Sequence, residues 1–201
     1  MGGYLAAPFL SLHILPVART NSHSVYDHLL AIRHERGAGF IVLIDPDKLT
    51  EREAPAFAER CTAAGVDAFF IGGSLMHQSE VDRFVGRLKL ATDLPIVAFP
   101  GTLNQLSPAC DAVLYLSVVS GRNPEHLIGQ HVHAAPMIKR LGLEPIPTGY
   151  MLIESGHITT AQYMSGSLPL PRHKPEVAAA TGLAAEMMGM KLLFTDAGSG
   201  A

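Results

Sequence analysis

Short runs of apolar, largely branched residues alternate along this chain with helix-patterned stretches, and nearly every run ends in a glycine-rich or polar cluster. Six runs read as strands: residues 40–44, 68–71, 95–99, 112–116, 150–153 within a wider 144–154 segment, and 191–195. The residues around them predict helices over 24–36, from Thr50 to about Gly65, 79–90, 124–140 and 176–188. Ser24 suits the N-cap of the first of these and Gly37 its stop, while Thr50 and Glu53 have capping-box spacing. Two connections differ. Residues 102–108 leave little room for a full helix, and residues 156–175 read as a polar, proline-rich loop. Strict alternation implies a parallel sheet with right-handed crossovers. Six strands fit either an open doubly wound sheet or most of an eight-stranded barrel. No G-x-G-x-x-G follows the first strand, which removes the main support for a dinucleotide fold.

Composition narrows the class. With 48% apolar and 16% charged residues, the 201-residue chain is neither disordered nor too short to bury a core, and one domain is expected. A net charge of -3 with no Lys/Arg block argues against nucleic acid as a partner. Cys61 and Cys110 are too few for a disulfide framework and read as reduced, buried small residues, consistent with a cytoplasmic protein. Residues 1–23 read as a loosely attached extension: the apolar run 4–17 is broken by Pro8, His13 and Pro16, too short for a membrane span and without a signal peptide's basic start.

Clusters after strands place function on one face, where parallel α/β folds gather ligands at strand C-termini. Phe40 to Ile44 reads as a strand buried on both faces that stops at Asp45. A carboxylate there either caps the following turn or holds a cation, and with Asp47 it offers the hard oxygens that magnesium takes from proteins. Gly72-Gly73-Ser74 can bring backbone N–H groups and a hydroxyl to an anion, or form an ordinary turn. Ala197-Gly198-Ser199-Gly200 has room for a phosphate, or is a tail. His131 and His133, two apart on a predicted helix, diverge and read as surface residues. Arg172 and Lys174 are a diphosphate clamp or an exposed basic pair, and the Met187, Met188, Met190 group reads as core packing.

Taken together, Leu43-Ile44-Asp45-Pro46-Asp47-Lys48, Ile71-Gly72-Gly73-Ser74, Ser120-Gly121-Arg122-Asn123-Pro124, Pro147-Thr148-Gly149-Tyr150, residues 169–174 and residues 196–201 resemble the geranylgeranylglyceryl phosphate synthase family, in particular its longer group. The likeness runs from about Ser24 to Ala201 with the motifs in order. It implies a modified (β/α)8 barrel of TIM type and a magnesium-dependent prenyltransferase of membrane phospholipid synthesis. That enzyme forms an ether between a prenyl diphosphate and the C3 hydroxyl of sn-glycerol 1-phosphate, releasing diphosphate. By this likeness Asp45 and Ser74 are magnesium ligands, and Phe194, Thr195, Asp196, Ala197, Gly198, Ser199 and Gly200 form the glycerol-phosphate segment. Asp196 stands where the family usually has Glu, one methylene longer, and is expected to orient the acceptor hydroxyl or act as its base. Tyr150 is expected to line the substrate cavity. The resemblance also implies self-association and transient contact with a membrane surface.

The family continues through two further strands that this sequence does not carry. The expectation is therefore an incomplete barrel over residues 24–201, holding about the first six strands of a C-terminally truncated family member. The alternatives are a non-catalytic phosphate-ligand-binding barrel fragment and another phosphate-binding barrel enzyme.

Overall fold

The computed structural model describes residues 24–73 and 81–198. Helix α1 (Val25–Arg36) precedes strand β1 (Ile41–Ile44), followed by α2 (Ala54–Ala63), β2 (Ala68–Ile71), α3 (Val81–Lys89) and β3 (Ile96–Ala98). A single 3-10 turn (Leu103–Gln105) leads to β4 (Ala112–Val118); a wide π-type turn (Glu125–Gly129) opens α4 (Gln130–Leu141). β5 (Glu144–Leu152), α5 (Thr160–Ser165), α6 (Pro175–Met187) and β6 (Leu192–Asp196) complete it. All neighbouring strands are parallel and their order is the chain order, β1 to β6. A doubly wound sheet reverses direction at a switch point; an uninterrupted sequential order is that of a barrel wall.

The two faces of the sheet carry separate cores. On the outer face Phe69, Ile71, Ile96, Ala98 and Val113 pack against Ala54 and Ala58 of α2, Phe84 and Leu88 of α3 and Ile138 of α4. On the inner face Phe70, Val97, Ala112, Leu114 and Ile146 pack against Val25 of α1, with Tyr26 and Leu29 beside them. The helix reaches the beginning of the strands because Glu144, the first residue of β5, accepts hydrogen bonds from Ser24 Oγ (2.7 Å) and from the backbone N–H groups of Val25 (2.6 Å) and Tyr26 (3.3 Å). A carboxylate on a helix N-terminus satisfies donors that the helix itself cannot. α1 thereby closes the end of the barrel opposite the strand C-termini. Glu144→Ala is expected to cost about 1–3 kcal/mol of stability, read by chemical denaturation, because it leaves those donors unpaired.

Several expectations are corrected. Strand β1 is not buried on both faces: Phe40 lies before it and is exposed, and Leu43 on its inner face is half exposed. β1 is an edge of the described sheet, with β2 as its one neighbour there. Thr50 does not start α2. Glu53 accepts from the Thr50 hydroxyl (2.6 Å) and N–H (3.2 Å), closing a turn, and the helix begins at Ala54, where Pro55 in its first turn needs no hydrogen-bond donor. β5 starts at Glu144, six residues before the expected 150–153, despite Pro145 and Pro147. The Pro147 carbonyl faces Lys191, and β6 pairs only from Thr148 onward, so both prolines lack an N–H on a side where the described sheet has no ladder yet. The 156–175 loop contains α5, N-capped by the Thr159 side chain. Cys61 is partly exposed rather than buried, whereas burial pushes the Cys110 thiol up to about 12. Cys110 is thus held neutral. Its contribution to stability is complete below about pH 8.5, where the unfolded thiol is also neutral, and declines as pH rises from there toward 12. A thiol reagent at neutral pH is expected to modify Cys61 in the native protein and Cys110 only on unfolding. Residues 1–23 lie outside the described residues.

Candidate functional site

Carboxylates at the two ends of the strands are treated differently. At the strand beginnings, Asp67 accepts from the Phe40 N–H (2.7 Å) and pairs with Arg36, and Asp111 accepts from the Ile96 N–H (2.8 Å) and Lys89 Nζ (2.7 Å). Chiefly the Phe40 hydrogen bond, with Arg36 adding to it, holds the Asp67 carboxyl below its usual range. These acids serve the fold. At the strand ends stand Asp45 and Asp196, both half-buried. Asp45 Oδ1 accepts from the Asp47 N–H (3.0 Å), the turn reading of the sequence, while Oδ2 lies 3.7 Å from Nζ of the largely exposed Lys48. Among the described residues no cation is paired with Asp196.

Gly72 and Gly73 bring the β2 end against its neighbours. A Cβ on Gly72 would lie 1.9 Å from the Phe99 carbonyl oxygen, so only glycine fits there; Gly72→Ala is expected to lower stability by about 1–3 kcal/mol, measurable as a fall in Tm. Gly73 sits with its Cβ position 3.3 Å from the Asp45 carboxylate. Its carbonyl accepts from Gln105 Nε2 (3.0 Å), and the buried Gln105 also accepts from the Gly101 N–H (2.9 Å). Ser74 lies outside the described residues.

The register of β5 and β6 sets Tyr150 opposite Phe194 and Leu152 opposite Asp196, so Tyr150, Phe194 and Asp196 share the inner face. The Tyr150 hydroxyl donates to Asp196 Oδ2 at 3.0 Å. Burial first, and then the Asp196 charge, push the phenol far above its ordinary value, so it stays a donor. Phe99 and Phe194 enclose the pair, with ring centroids 4.9 Å apart, and Tyr150 stacks on Phe194 at 5.7 Å. Thr195 points to the opposite, exposed side. Ala197 follows the strand, and Gly198 turns with φ +98°, its Cβ position 2.4 Å from Thr159 Oγ1 at the start of α5. Ser199 and Gly200 lie outside the described residues.

An apolar cavity is lined by Gly73, Phe99 and Tyr150 near the strand C-termini and extends along the flank of β4 to Val113 and Ile138. From Val118 to Val113 that is roughly 17 Å at the rise of a strand. The 3-10 turn at Leu103 makes this space. Where the other crossovers carry helices, the β3–β4 connection is one turn long, and Leu103 and Leu106 form a wall instead of filling the gap. His131, expected on the surface, is buried in this cavity wall. Its Nε2 lies 3.0 Å from Ser117 Oγ, its ring stands edge-on to Tyr115 at 4.5 Å, and burial pushes its ionisation down. No periodicity marked it, because the helix turns from π to α spacing one residue earlier.

Of the polar residues near the site, Gln105 carries no mark in the sequence, His131 reads there as a surface residue, and Asn123, whose Nδ2 donates to the Ser165 carbonyl (2.7 Å), stands there only as part of a motif.

A family model matches residues 30–201, and it is that of the PcrB family. The chain belongs to the PcrB family. Geranylgeranylglyceryl phosphate synthase of Chitinophaga pinensis is 48% identical over 179 residues, 89% of this chain and 71% of that protein. The synthase of Spirosoma linguale is 46% identical over 162 residues, 81% of this chain and 65% of its own length. This PcrB-family chain thus matches about two thirds to seven tenths of the length of those two proteins. The crystal structure of (S)-3-O-geranylgeranylglyceryl phosphate synthase from Thermoplasma acidophilum with its substrate sn-glycerol-1-phosphate superimposes with a TM-score of 0.81 at 29% identity, over 90% of this chain and 72% of that one. The fold is therefore that of a modified (β/α)8 barrel, with six strands in the described residues.

Proposed function

We propose that this PcrB-family chain is a prenyltransferase that joins a geranylgeranyl or similar prenyl group to the C3 hydroxyl of sn-glycerol 1-phosphate, in the synthesis of ether phospholipids. The observation that carries the reading is Gly73, whose Cβ position lies 3.3 Å from the Asp45 carboxylate and which also lines the apolar cavity. A prenyl diphosphate has that shape: a charged head for Asp45 and the Gly72-Gly73 backbone, and a long hydrocarbon tail for the cavity. An enzyme acting on a short sugar phosphate needs no such depth. The names of the relatives, and the glycerol phosphate bound by the Thermoplasma synthase, support the same assignment.

A single strand-end carboxylate beside glycine backbone fits magnesium, which takes one or two protein carboxylates and leaves its other positions to water and phosphate. Asp45, with Ser74, would hold the ion, which neutralises charge gathering on departing diphosphate. The residues of the chain do the rest. The C1–O bond to diphosphate breaks with its electrons leaving on the diphosphate oxygen, and the acceptor oxygen forms the new bond to C1. The apolar cavity keeps water from the cation-like prenyl group. Asp196 orients the acceptor hydroxyl and takes its proton, with Tyr150 fixing one carboxylate oxygen and leaving the other to the substrate.

Tyr150→Phe is expected to lower kcat by about 10–100-fold, the range for one hydrogen bond to a charged group, with little change in the KM for the prenyl diphosphate. Steady-state kinetics with each substrate varied in turn measures it. Unchanged kcat would remove Tyr150 from this role.

A further inference from the structure

The cavity beside β4 has in its wall a buried polar atom that the fold leaves unserved. β3 pairs with β4 only at Ala112 and Val113, whereas β5 pairs with it from Ala112 to Val118. From Leu114 onward the β3 flank of β4 therefore borders the cavity instead of a strand. β3 and β4 are the central pair of the six strands, away from both edges of the described sheet. Across this gap stands His131 of α4, which lines the cavity and is only 6% exposed. His126, five residues earlier, lines it too, a spacing that the π-type turn brings to one face of the helix.

The imidazole is held from two sides. The Ser117 hydroxyl has the Leu127 carbonyl for its hydrogen (3.2 Å) and so accepts from His131 Nε2–H at 3.0 Å. Tyr115 stands edge-on to the ring at 4.5 Å, and its hydroxyl donates to the His131 carbonyl (2.8 Å). A neutral imidazole protonated on Nε2 carries a lone pair on Nδ1. That atom is buried and, among the described residues, has no hydrogen-bond partner. The Leu116 carbonyl favours the charged ring, but as an acceptor it cannot serve a lone pair. An unpaired acceptor in an apolar wall is costly, and native folds satisfy nearly all of them. The partner that suits Nδ1 is a donor entering through the cavity: water in the free protein, with Gln130 and His126 in the same lining to share it.

We infer that His131 Nδ1 determines specificity for the tail: hydrocarbon that reaches it is penalised, because the tail drives water from the nitrogen and offers no donor in return. Discrimination of this kind works by leaving a polar group unpaired against the wrong occupant. The inference rests on the proposed prenyl site and adds to it what decides between tails. Titration calorimetry with dimethylallyl, geranyl, farnesyl and geranylgeranyl diphosphate, magnesium present and inorganic diphosphate as the tailless reference, tests it. Each added isoprene unit raises affinity by burying apolar surface. The unit that reaches His131 is expected to gain about 5–150-fold less than its neighbours, equivalent to the roughly 1–3 kcal/mol lost with one unsatisfied buried group. His131→Phe keeps an aromatic ring against Tyr115 and removes both nitrogens, so the shortfall should vanish. In the unaltered chain, nitrogen NMR of labelled histidine should find the His131 proton on Nε2, and Nδ1 should lose its hydrogen bond at that same member of the series. Evenly rising affinities in both proteins would overturn the inference and leave the prenyl site standing. Affinities no higher than that of inorganic diphosphate in either protein would overturn both. A proton on Nδ1, or an Nδ1 resonance that no member of the series moves, would overturn the inference whether or not the variant folds.

Discussion

Asp45→Ala is expected to lower prenyl transfer at saturating magnesium by at least about a thousandfold, with the fold retained. The size follows from removing the group that would hold the ion against diphosphate, where loss of one charge-stabilising contact costs about 10²–10³ and loss of the metal several kcal/mol of transition-state stabilisation. Retention of the fold follows from how little else the Asp45 side chain does: among the described residues it accepts one hydrogen bond, from the Asp47 N–H, lies 3.7 Å from Nζ of the largely exposed Lys48, and follows a strand at an edge of the described sheet. Circular dichroism and thermal melting should move by about 1 kcal/mol. Transfer that survives in the variant would remove Asp45 from the head-group site.

Asp196→Ala should cost about 10²–10⁴ in kcat, the range for a positioned acid or base, with the affinity for prenyl diphosphate unchanged. Asp196 sits on β6 and Asp45 at the end of β1, the two edges of the described sheet. In the proposed reaction the two substitutions separate the substrates: Asp45→Ala should affect the diphosphate, Asp196→Ala the acceptor hydroxyl. Asp196→Glu is the informative companion. If the shorter side chain reaches its acceptor because Tyr150 positions it, the longer one disturbs that hydrogen bond and lowers kcat; if reach alone matters, it raises kcat.

The fold was legible because parallel strands announce themselves. Ala68-Phe69-Phe70-Ile71 and Ala112 onward are continuous apolar runs, as strands covered on both faces must be, and each was found within two residues. β1 misled for the same reason. Its aliphatic run has the composition of an interior strand, but whether a neighbour covers Leu43 is a property of the sheet and not of the run. β5 was placed late because proline is normally excluded from a ladder, and nothing local says that β6 pairs only from Thr148. At the site, glycines and strand-end carboxylates stood out from the sequence. Tyr150 was named, but its bond to Asp196 depends on the register between strands 46 residues apart. His131 reads as a surface residue and Gln105 goes unmarked because a buried polar residue looks, in sequence, like one in solvent.

The pH dependence of stability offers an independent check on that wall. His131 is held neutral by burial, so the stability it provides is present above its unfolded pKa of about 6.5 and is lost as pH falls through its depressed folded value. His131→Gln should flatten denaturation midpoints measured between pH 7 and pH 5.

The proposed site is one apolar cavity with the Asp45 carboxylate close to Gly73 in its lining. Titration calorimetry of this chain, in the presence of magnesium, with geranylgeranyl diphosphate and with inorganic diphosphate compares the two ends of the proposed ligand directly. Tail burial in the channel beside β4 predicts that the prenyl compound binds at least about a hundredfold more tightly and with a negative heat-capacity change, the mark of apolar surface leaving water. Equal affinity for the two would contradict it and leave a phosphate-binding barrel without a prenyl site.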